Sequence, residues 1–159
     1  MTAPFIFIGT YQVREGKLEA YKEFWQEFLK YIEAREPRLI SINMYVNDDG
    51  TEVSVVQVHP DADSMLFHVG VAQQHIGTAY DEYLTGKANT QIYGTPNEAT
   101  LAMVDQLNAP GSSVSIKPRL SEGSVASQTC LKGRPPPGET AGRSPAGPSR
   151  GRPTGYPSA

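Results

Sequence analysis

The chain has 159 residues, 38% of them hydrophobic, one cysteine and a formal net charge of −3 at pH 7. This length allows one domain with an additional segment, and the acidic balance argues against a nucleic-acid-binding protein. A single cysteine excludes an intrachain disulfide, fits a reducing compartment and predicts a cytoplasmic protein. The apolar run FIFIG near the start is too short for a membrane span or a secretory signal, so no membrane is expected as a partner.

Composition divides the chain near Leu120. The residues beyond it carry a net charge of +3, which leaves −6 on residues 1–120. Proline, glycine, serine and arginine dominate this last segment, and its sizeable apolar residues are Val125, Leu131 and Tyr156. Such a segment buries too little apolar surface to offset the entropy of ordering its backbone. We therefore predict a folded domain over residues 1–120 and a disordered tail over residues 121–159.

The first two predicted elements are a strand and a long helix. Residues 5–13 (FIFIGTYQV) are rich in aromatic and β-branched residues, which is typical of a strand. Residues 17–36 then repeat apolar residues at helical spacing, and Pro37 ends the helix. Trp25 lies on the apolar face, where it either packs in the core or forms a stacking wall for a planar ligand.

Residues 39–46 and 51–59 predict two alternating strands, because the Asp49-Gly50 step between them suits a tight hairpin. Alternation separates the side chains into an apolar and a polar face. The polar face is either solvated or a covered hydrogen-bonding surface. The apolar face is predicted to contain Ile40, Ile42, Met44, Val46, Val56 and Val58, and the polar face Ser41, Asn43, Tyr45, Asn47, Gln57 and His59.

Residues 63–84 predict a second long helix whose apolar stripe is flanked by His68 and His75. Seven residues separate the two histidines, which places them roughly 10 Å apart along the axis at about 1.5 Å per residue. Two imidazoles at this spacing can line a cavity wall, but they cannot chelate one metal ion. No metal site is therefore predicted, and each histidine is either a structural hydrogen-bonding residue or part of a site.

The remaining pattern completes a β-α-β-β-α-β order. Residues 88–93 predict a strand, Thr95 opens a short helix in a capping-box sequence, and residues 114–120 predict a last edge strand or arm. This order is the ferredoxin-like α+β arrangement, in which helices cover one face of an antiparallel sheet. The uncovered face is free to pack against a second copy.

Residues 5–96 resemble the antibiotic biosynthesis monooxygenase superfamily, the dimeric α/β-barrel proteins, including its quinol monooxygenase type. The resemblance lies in FIFIGTYQVREGKLEAYKEFWQEFLKYIE, DADSMLFHVGVAQQHIGTAY and QIYGTP. It implies a homodimer with one pocket per subunit between sheet and helices. It further implies a monooxygenase that acts without a cofactor on an aromatic or quinol-type small molecule. The sequence indeed carries no GxGxxG, P-loop, CxxC or HExxH motif.

The resemblance also implies roles for individual residues. His75 falls where many members have a helix histidine, which makes it the candidate general base. The spacing of His68 departs from the common pattern. The candidate substrate-binding residues are Trp25, Asn43, Tyr45, Gln57, His68 and Tyr93.

Two alternatives to this activity remain open. The first is a non-catalytic homodimer of the same fold that binds a small ligand or has a structural role. The second is a haem-binding protein with His75 as axial ligand, since the superfamily includes haem-degrading members.

Overall fold

The computed structural model describes residues 3–107 and 110–123, and the predicted tail, with Cys130, lies outside them from residue 124 onward. The described part contains five strands and three helices. In chain order these are β1 (Phe5–Val13), α1 (Leu18–Glu33), β2 (Ser41–Val46), β3 (Glu52–His59), α2 (Ala62–Glu82), β4 (Leu84–Tyr93), α3 (Glu98–Leu107) and β5 (Ser113–Lys117).

The strands form one sheet in the order β2-β3-β1-β4-β5. The first four pair antiparallel, which confirms the ferredoxin-like α+β arrangement. β5 pairs parallel to β4 and reaches that position through α3, because parallel neighbours need a crossover connection. Pro118 follows the last residue of this edge strand, where its missing N–H breaks no ladder.

Several element boundaries differ from the prediction. α2 ends at Glu82, so the next strand begins at Leu84, four residues earlier than expected. α3 is capped by Asn97, whose Oδ1 accepts a hydrogen bond from the Thr100 N–H at 2.8 Å. The predicted cap at Thr95 was therefore wrong. An amide oxygen two residues later in the chain satisfies the first helical N–H groups.

The predicted faces of β3 were also wrong. Asn43 lies opposite Val56, and Ile42 lies opposite Gln57. Residues directly opposite each other in an antiparallel pair share a face, so a register one residue away from the expected one reverses every side chain of the strand. Gln57 and His59 consequently face the helices, and Val58 shares the uncovered face with Val56.

The two faces of the sheet differ in what covers them. Aromatic side chains of α1, including Tyr21, Trp25 and Phe28, pack with α2 over the Val53 and Val55 side of the sheet. The opposite face has a partly exposed apolar centre and a rim of polar side chains. The centre consists of Ile6, Ile8, Val56 and Val58, and the rim includes Asn43, Tyr45, Gln91 and Tyr93. Within the described residues no helix is long and apolar enough to cross a membrane.

Candidate functional site

A cavity of about 70 Å³ lies between the covered sheet face and the two long helices. This is where the resemblance places a pocket. Most of the side chains that line the cavity are apolar or aromatic, and a few are polar. The lining residues are Phe7, Tyr11, Tyr21, Phe24, Trp25, Phe28, Val55, Gln57, Met65, His68, Val69, His75, Ile76, Ala79, Tyr80 and Leu84.

One end of the cavity is built from phenol rings. Tyr11 packs edge to face on Tyr80, with ring centroids 5.8 Å apart. Burial raises the pKa of Tyr11 well above its usual value, and the neighbouring Tyr80 and Tyr21 raise it further. The Tyr11 ring lies directly over Gly9. A Cβ atom added at this glycine would be 2.6 Å from the Tyr11 Cζ atom, so the ring occupies the space that a side chain would need. These phenol groups are therefore uncharged at neutral pH.

His75 projects from α2 into a group of aromatic rings. Its ring centroid lies 4.4 Å from that of Tyr31, 5.3 Å from that of Phe28 and 6.1 Å from that of Phe24. Its Nδ1 atom is buried and has no hydrogen-bond partner among the described residues. An unpartnered buried nitrogen is costly unless something else binds it. The geometry thus leaves this nitrogen without a partner in the described part of the chain.

His68 lies two turns earlier on α2 in a different environment. Its Nδ1 atom is 2.9 Å from Oε1 and 3.0 Å from Oε2 of Glu36. Both side chains are buried, with exposed fractions of 1% for His68 and 6% for Glu36. Glu36 lies just beyond the end of α1, so the turn after that helix brings a carboxylate under the cavity wall. A buried carboxylate needs a partner of this kind.

A second buried polar pair adjoins the first. His59 is fully buried, and its ring centroid lies 5.6 Å from that of His68. Its Nε2 atom is 3.2 Å from Gln57 Oε1, and its Nδ1 atom is 3.4 Å from Ser64 Oγ. Burial lowers the pKa of His59 to about 4, and the nearby His68 adds to this lowering while Asp61 opposes it. His59 is therefore neutral at neutral pH.

The structure brings together four of the seven residues that the sequence indicated. Trp25, Gln57, His68 and His75 all line the cavity. The other three, Asn43, Tyr45 and Tyr93, lie on the uncovered sheet face and do not reach it.

Sequence reasoning missed Glu36, His59 and Tyr11 as neighbours of the site. An acidic residue at the end of a helix and a tyrosine in a strand carry no local signal of this position. The correct pairing of β2 with β3 would have indicated His59, because it places the face that Gln57 and His59 share under the helices.

Comparison with known proteins adds information at the level of fold. No protein-family model matches the chain, and no curated protein sequence matches it. Among solved structures, MupZ from Pseudomonas fluorescens matches with a TM-score of 0.61 and 17% identity, over 78% of this chain and 96% of MupZ.

Two further matches carry a functional name. A "putative antibiotic biosynthesis monooxygenase" from Nitrosomonas europaea matches with a TM-score of 0.51 and 18% identity, over 59% of this chain and 91% of its own. A protein of the same name from Caulobacter crescentus matches with a TM-score of 0.51 and 14% identity, over 57% and 88% of the two chains. This chain therefore has the fold of proteins named as antibiotic biosynthesis monooxygenases, which confirms at the level of fold the resemblance seen in its sequence.

Proposed function

We propose that this protein is a cofactor-independent monooxygenase that oxidises a small aromatic or quinol-type molecule with dioxygen. The observation that carries the proposal is the apolar, aromatic-lined cavity with imidazoles on its α2 wall. One of these, His75, has a buried nitrogen without a partner. An apolar cavity with a few convergent polar groups and a free base is the usual form of a site for a small aromatic.

The reaction places few demands on the protein. His75 removes a proton from the substrate, the resulting carbanion or phenolate gives an electron to dioxygen, and the two radicals combine. A substrate RH₂ and dioxygen then yield the quinone RO and water, and the proton held by His75 leaves with that water. The cavity excludes bulk water from the anion, and Trp25 supplies a flat wall for the ring.

Oxygen consumption tests the activity directly. The purified full chain is offered a panel of hydroquinones and anthrones without added cofactor, beside a no-protein control. We expect uptake above the control and a loss of about 10²- to 10⁴-fold in His75→Ala, the usual range for a general base. Gln74→Ala, on the exposed side of the same helix, is the matched control and should keep full activity. Equal uptake in His75→Ala would eliminate this residue as the base.

A specific observation favours a second candidate function, a non-catalytic binding or structural dimer. The cavity volume of about 70 Å³ is smaller than the roughly 150 Å³ of an engineered protein cavity that binds benzene. Trp25, Phe28 and Tyr80 all line this small cavity, so a one-ring ligand requires a side chain to move. A haem macrocycle requires far more room. Absence of oxygen uptake across the whole panel would favour this second function.

Both candidates include a homodimer formed through the uncovered sheet face. Its centre of Ile6, Ile8, Val56 and Val58 is apolar and partly exposed, and a polar rim surrounds it. Burying such a face against a second copy removes apolar surface from water at about 25 cal/mol per Å². Val56→Lys should therefore give a monomer in sedimentation experiments. Gln73→Lys, on the exposed side of α2, should leave the dimer intact, and a dimeric Val56→Lys protein would place the interface elsewhere.

A further inference from the structure

We propose that a groove at one end of the sheet is a second binding site, which takes a small aromatic carboxylate. This terminal groove has a volume of about 480 Å³ and lies where β1 begins and where β4 and β5 end. Small-molecule pockets usually measure about 300–1,000 Å³. The cavity beside the helices, of about 70 Å³, is much smaller. The lining of the terminal groove includes Pro4, Phe5, Pro60, Lys117, Arg119 and Leu120.

Backbone hydrogen bonds hold one wall of the terminal groove in place. Tyr93 is paired with Lys117 in the ladder of β4 and β5. The Gly94 N–H donates to the Lys117 carbonyl oxygen at 3.0 Å. The Thr95 hydroxyl donates to the Pro118 carbonyl oxygen at 3.1 Å. The backbone on both sides of Pro118 is therefore fixed by the turn that follows β4.

The start of the chain forms the opposite wall, and Gly94 makes room for it. Gly94 has a φ of +105°, which glycine adopts without the steric cost that other residues meet. A Cβ atom at this position would be 3.3 Å from the Phe5 Cδ2 atom and 3.4 Å from the Pro4 carbonyl oxygen. The residues that lead into β1 can thus lie directly against the turn after β4.

Most of the groove surface is apolar. Phe5 is buried in its lining, whereas Leu120 is 66% exposed. Pro4 and Pro60 add rigid apolar surface, and Tyr93 adds an aromatic ring. A ligand that covers these side chains removes apolar surface from water, and rings pack well on rings. The body of the ligand should therefore be apolar and aromatic.

The charged side chains give the terminal groove a positive balance. Asp61 is the acidic residue of its lining, and the Arg38 guanidinium donates to both Asp61 carboxylate oxygens, at 2.9 and 2.7 Å. Lys117 and Arg119 have no carboxylate within 4 Å among the described residues. Their two charges therefore remain for an anion, although residues 1–120 carry a net charge of −6.

The two cationic side chains suit a carboxylate. The Lys117 Nζ atom lies 4.8 Å from the centroid of the Tyr93 ring, a cation–π contact that favours this position of the ammonium group. Arg119 lines the same groove with a planar guanidinium, which can donate to both oxygens of one carboxylate. Tyr93 thereby belongs to a ligand site, although it does not reach the cavity beside the helices.

The first test compares 2-naphthoate with its neutral analogue 2-naphthamide on the unmodified full chain. Each is titrated into ¹⁵N-labelled protein and followed by ¹H–¹⁵N NMR. We expect saturable shifts of the Gly94, Lys117 and Arg119 amide signals with the naphthoate, and binding of the amide about tenfold weaker because it loses both ionic contacts. Absence of saturable shifts, equal affinity for the two compounds, or shifts confined to the surroundings of His75 would each overturn the proposal. None of these outcomes depends on a variant that folds.

The second test removes the charges one at a time. Lys117→Gln and Arg119→Gln should each weaken naphthoate binding about three- to fivefold, the effect of an exposed ion pair, and leave naphthamide binding unchanged. Lys87→Gln, an exposed lysine of β4, is the matched control and should bind like the unmodified chain. Added salt should weaken naphthoate binding to the unmodified chain more than to the double variant. Unchanged naphthoate affinity in the double variant would contradict the proposal. Neither test uses dioxygen or His75, so the result is independent of the proposed function.

Discussion

The two ends of the cavity use the same residue type from the same helix in opposite ways. At the polar end, the His68 ring bonds to a buried carboxylate and lies beside a second imidazole. At the aromatic end, the His75 ring lies among Tyr31, Phe28 and Phe24, and its buried nitrogen has no partner. The role of an imidazole here follows from its neighbours on other elements. Its position on the helix does not determine it.

The surroundings of the two histidines affect stability as well as chemistry. The polar end is stable only while each buried polar group keeps its partner, because a lone buried charge costs several kcal/mol. The aromatic end already contains an unsatisfied nitrogen, so losing it removes a cost. Substitutions that change one histidine at a time should therefore have very different effects.

The largest effect is expected for His68→Phe. The substitution leaves the buried Glu36 carboxyl group without its hydrogen-bond partner, which costs up to about 3 kcal/mol. Urea unfolding followed by circular dichroism would show it as a lower midpoint at an unchanged slope. Phe67→Leu, an exposed neighbour on α2, is the control and should change little. A His68→Phe protein as stable as the unmodified chain would mean that Glu36 does not depend on this ring.

The next largest effect is a pH dependence of the folding stability that is due to His59. Its folded-state pKa of about 4 lies below the ordinary value of 6.5, so the unfolded chain binds more protons between these values. The stability due to neutral His59 is thus fully present above about pH 6.5 and is lost as the pH falls towards 4. The loss should amount to about 2–3 kcal/mol.

This pH effect can be separated from the titration of carboxylates by comparison with His59→Gln, which carries no titrating ring. Urea midpoints at pH 7, 5.5 and 4.5 should fall more steeply for the unmodified protein than for the variant. Parallel curves would show that His59 does not remain neutral in the folded state.

A smaller effect is expected when both partners of the pair are replaced. Glu36→Met combined with His68→Phe removes both polar partners and keeps apolar volume, a change that is often close to neutral. The double variant should recover about 2 kcal/mol or more of what His68→Phe loses, measured as the coupling energy of a double-mutant cycle. Simple additivity of the two single losses would show that the residues act independently.

The smallest effect is expected for His75→Phe. It replaces an unpartnered buried nitrogen with a carbon in a ring that keeps the aromatic contacts, so stability should change by less than about 1 kcal/mol, in the stabilising direction. Thermal unfolding beside His68→Phe provides the contrast. A loss as large as that of His68→Phe would reveal a partner for His75 that the free chain supplies.

Much of the fold could be predicted from the sequence, because the patterns that indicate it involve residues close together in the chain. The helical spacing of Trp25 and Phe28, the Asp49-Gly50 turn and the interval between His68 and His75 each depend on a few neighbouring residues. Gly50 indeed has a positive φ of 72°. These patterns correctly gave the element order and placed two histidines on a cavity wall.

The parts that failed depend on contacts between distant segments. Alternation shows which residues of β3 share a face, but the pairing with β2 decides which face the helices cover. That pairing places Gln57 in the cavity lining and His59 next to Gln57. The contact between Glu36 and His68 spans 32 residues and joins the end of one helix to the middle of another. The spacing of residues within each helix does not indicate a contact of this kind.

The contact between Gly9 and Tyr11 has a consequence for how the protein can change over evolution. A Cβ atom at position 9 would collide with the Tyr11 ring, so replacing this glycine with any other residue forces that ring from its present place. Because Tyr11 lines the cavity, one substitution in a strand alters the space available to a ligand without changing either helix. The shape of the cavity is thus separable from the helix packing that maintains the fold.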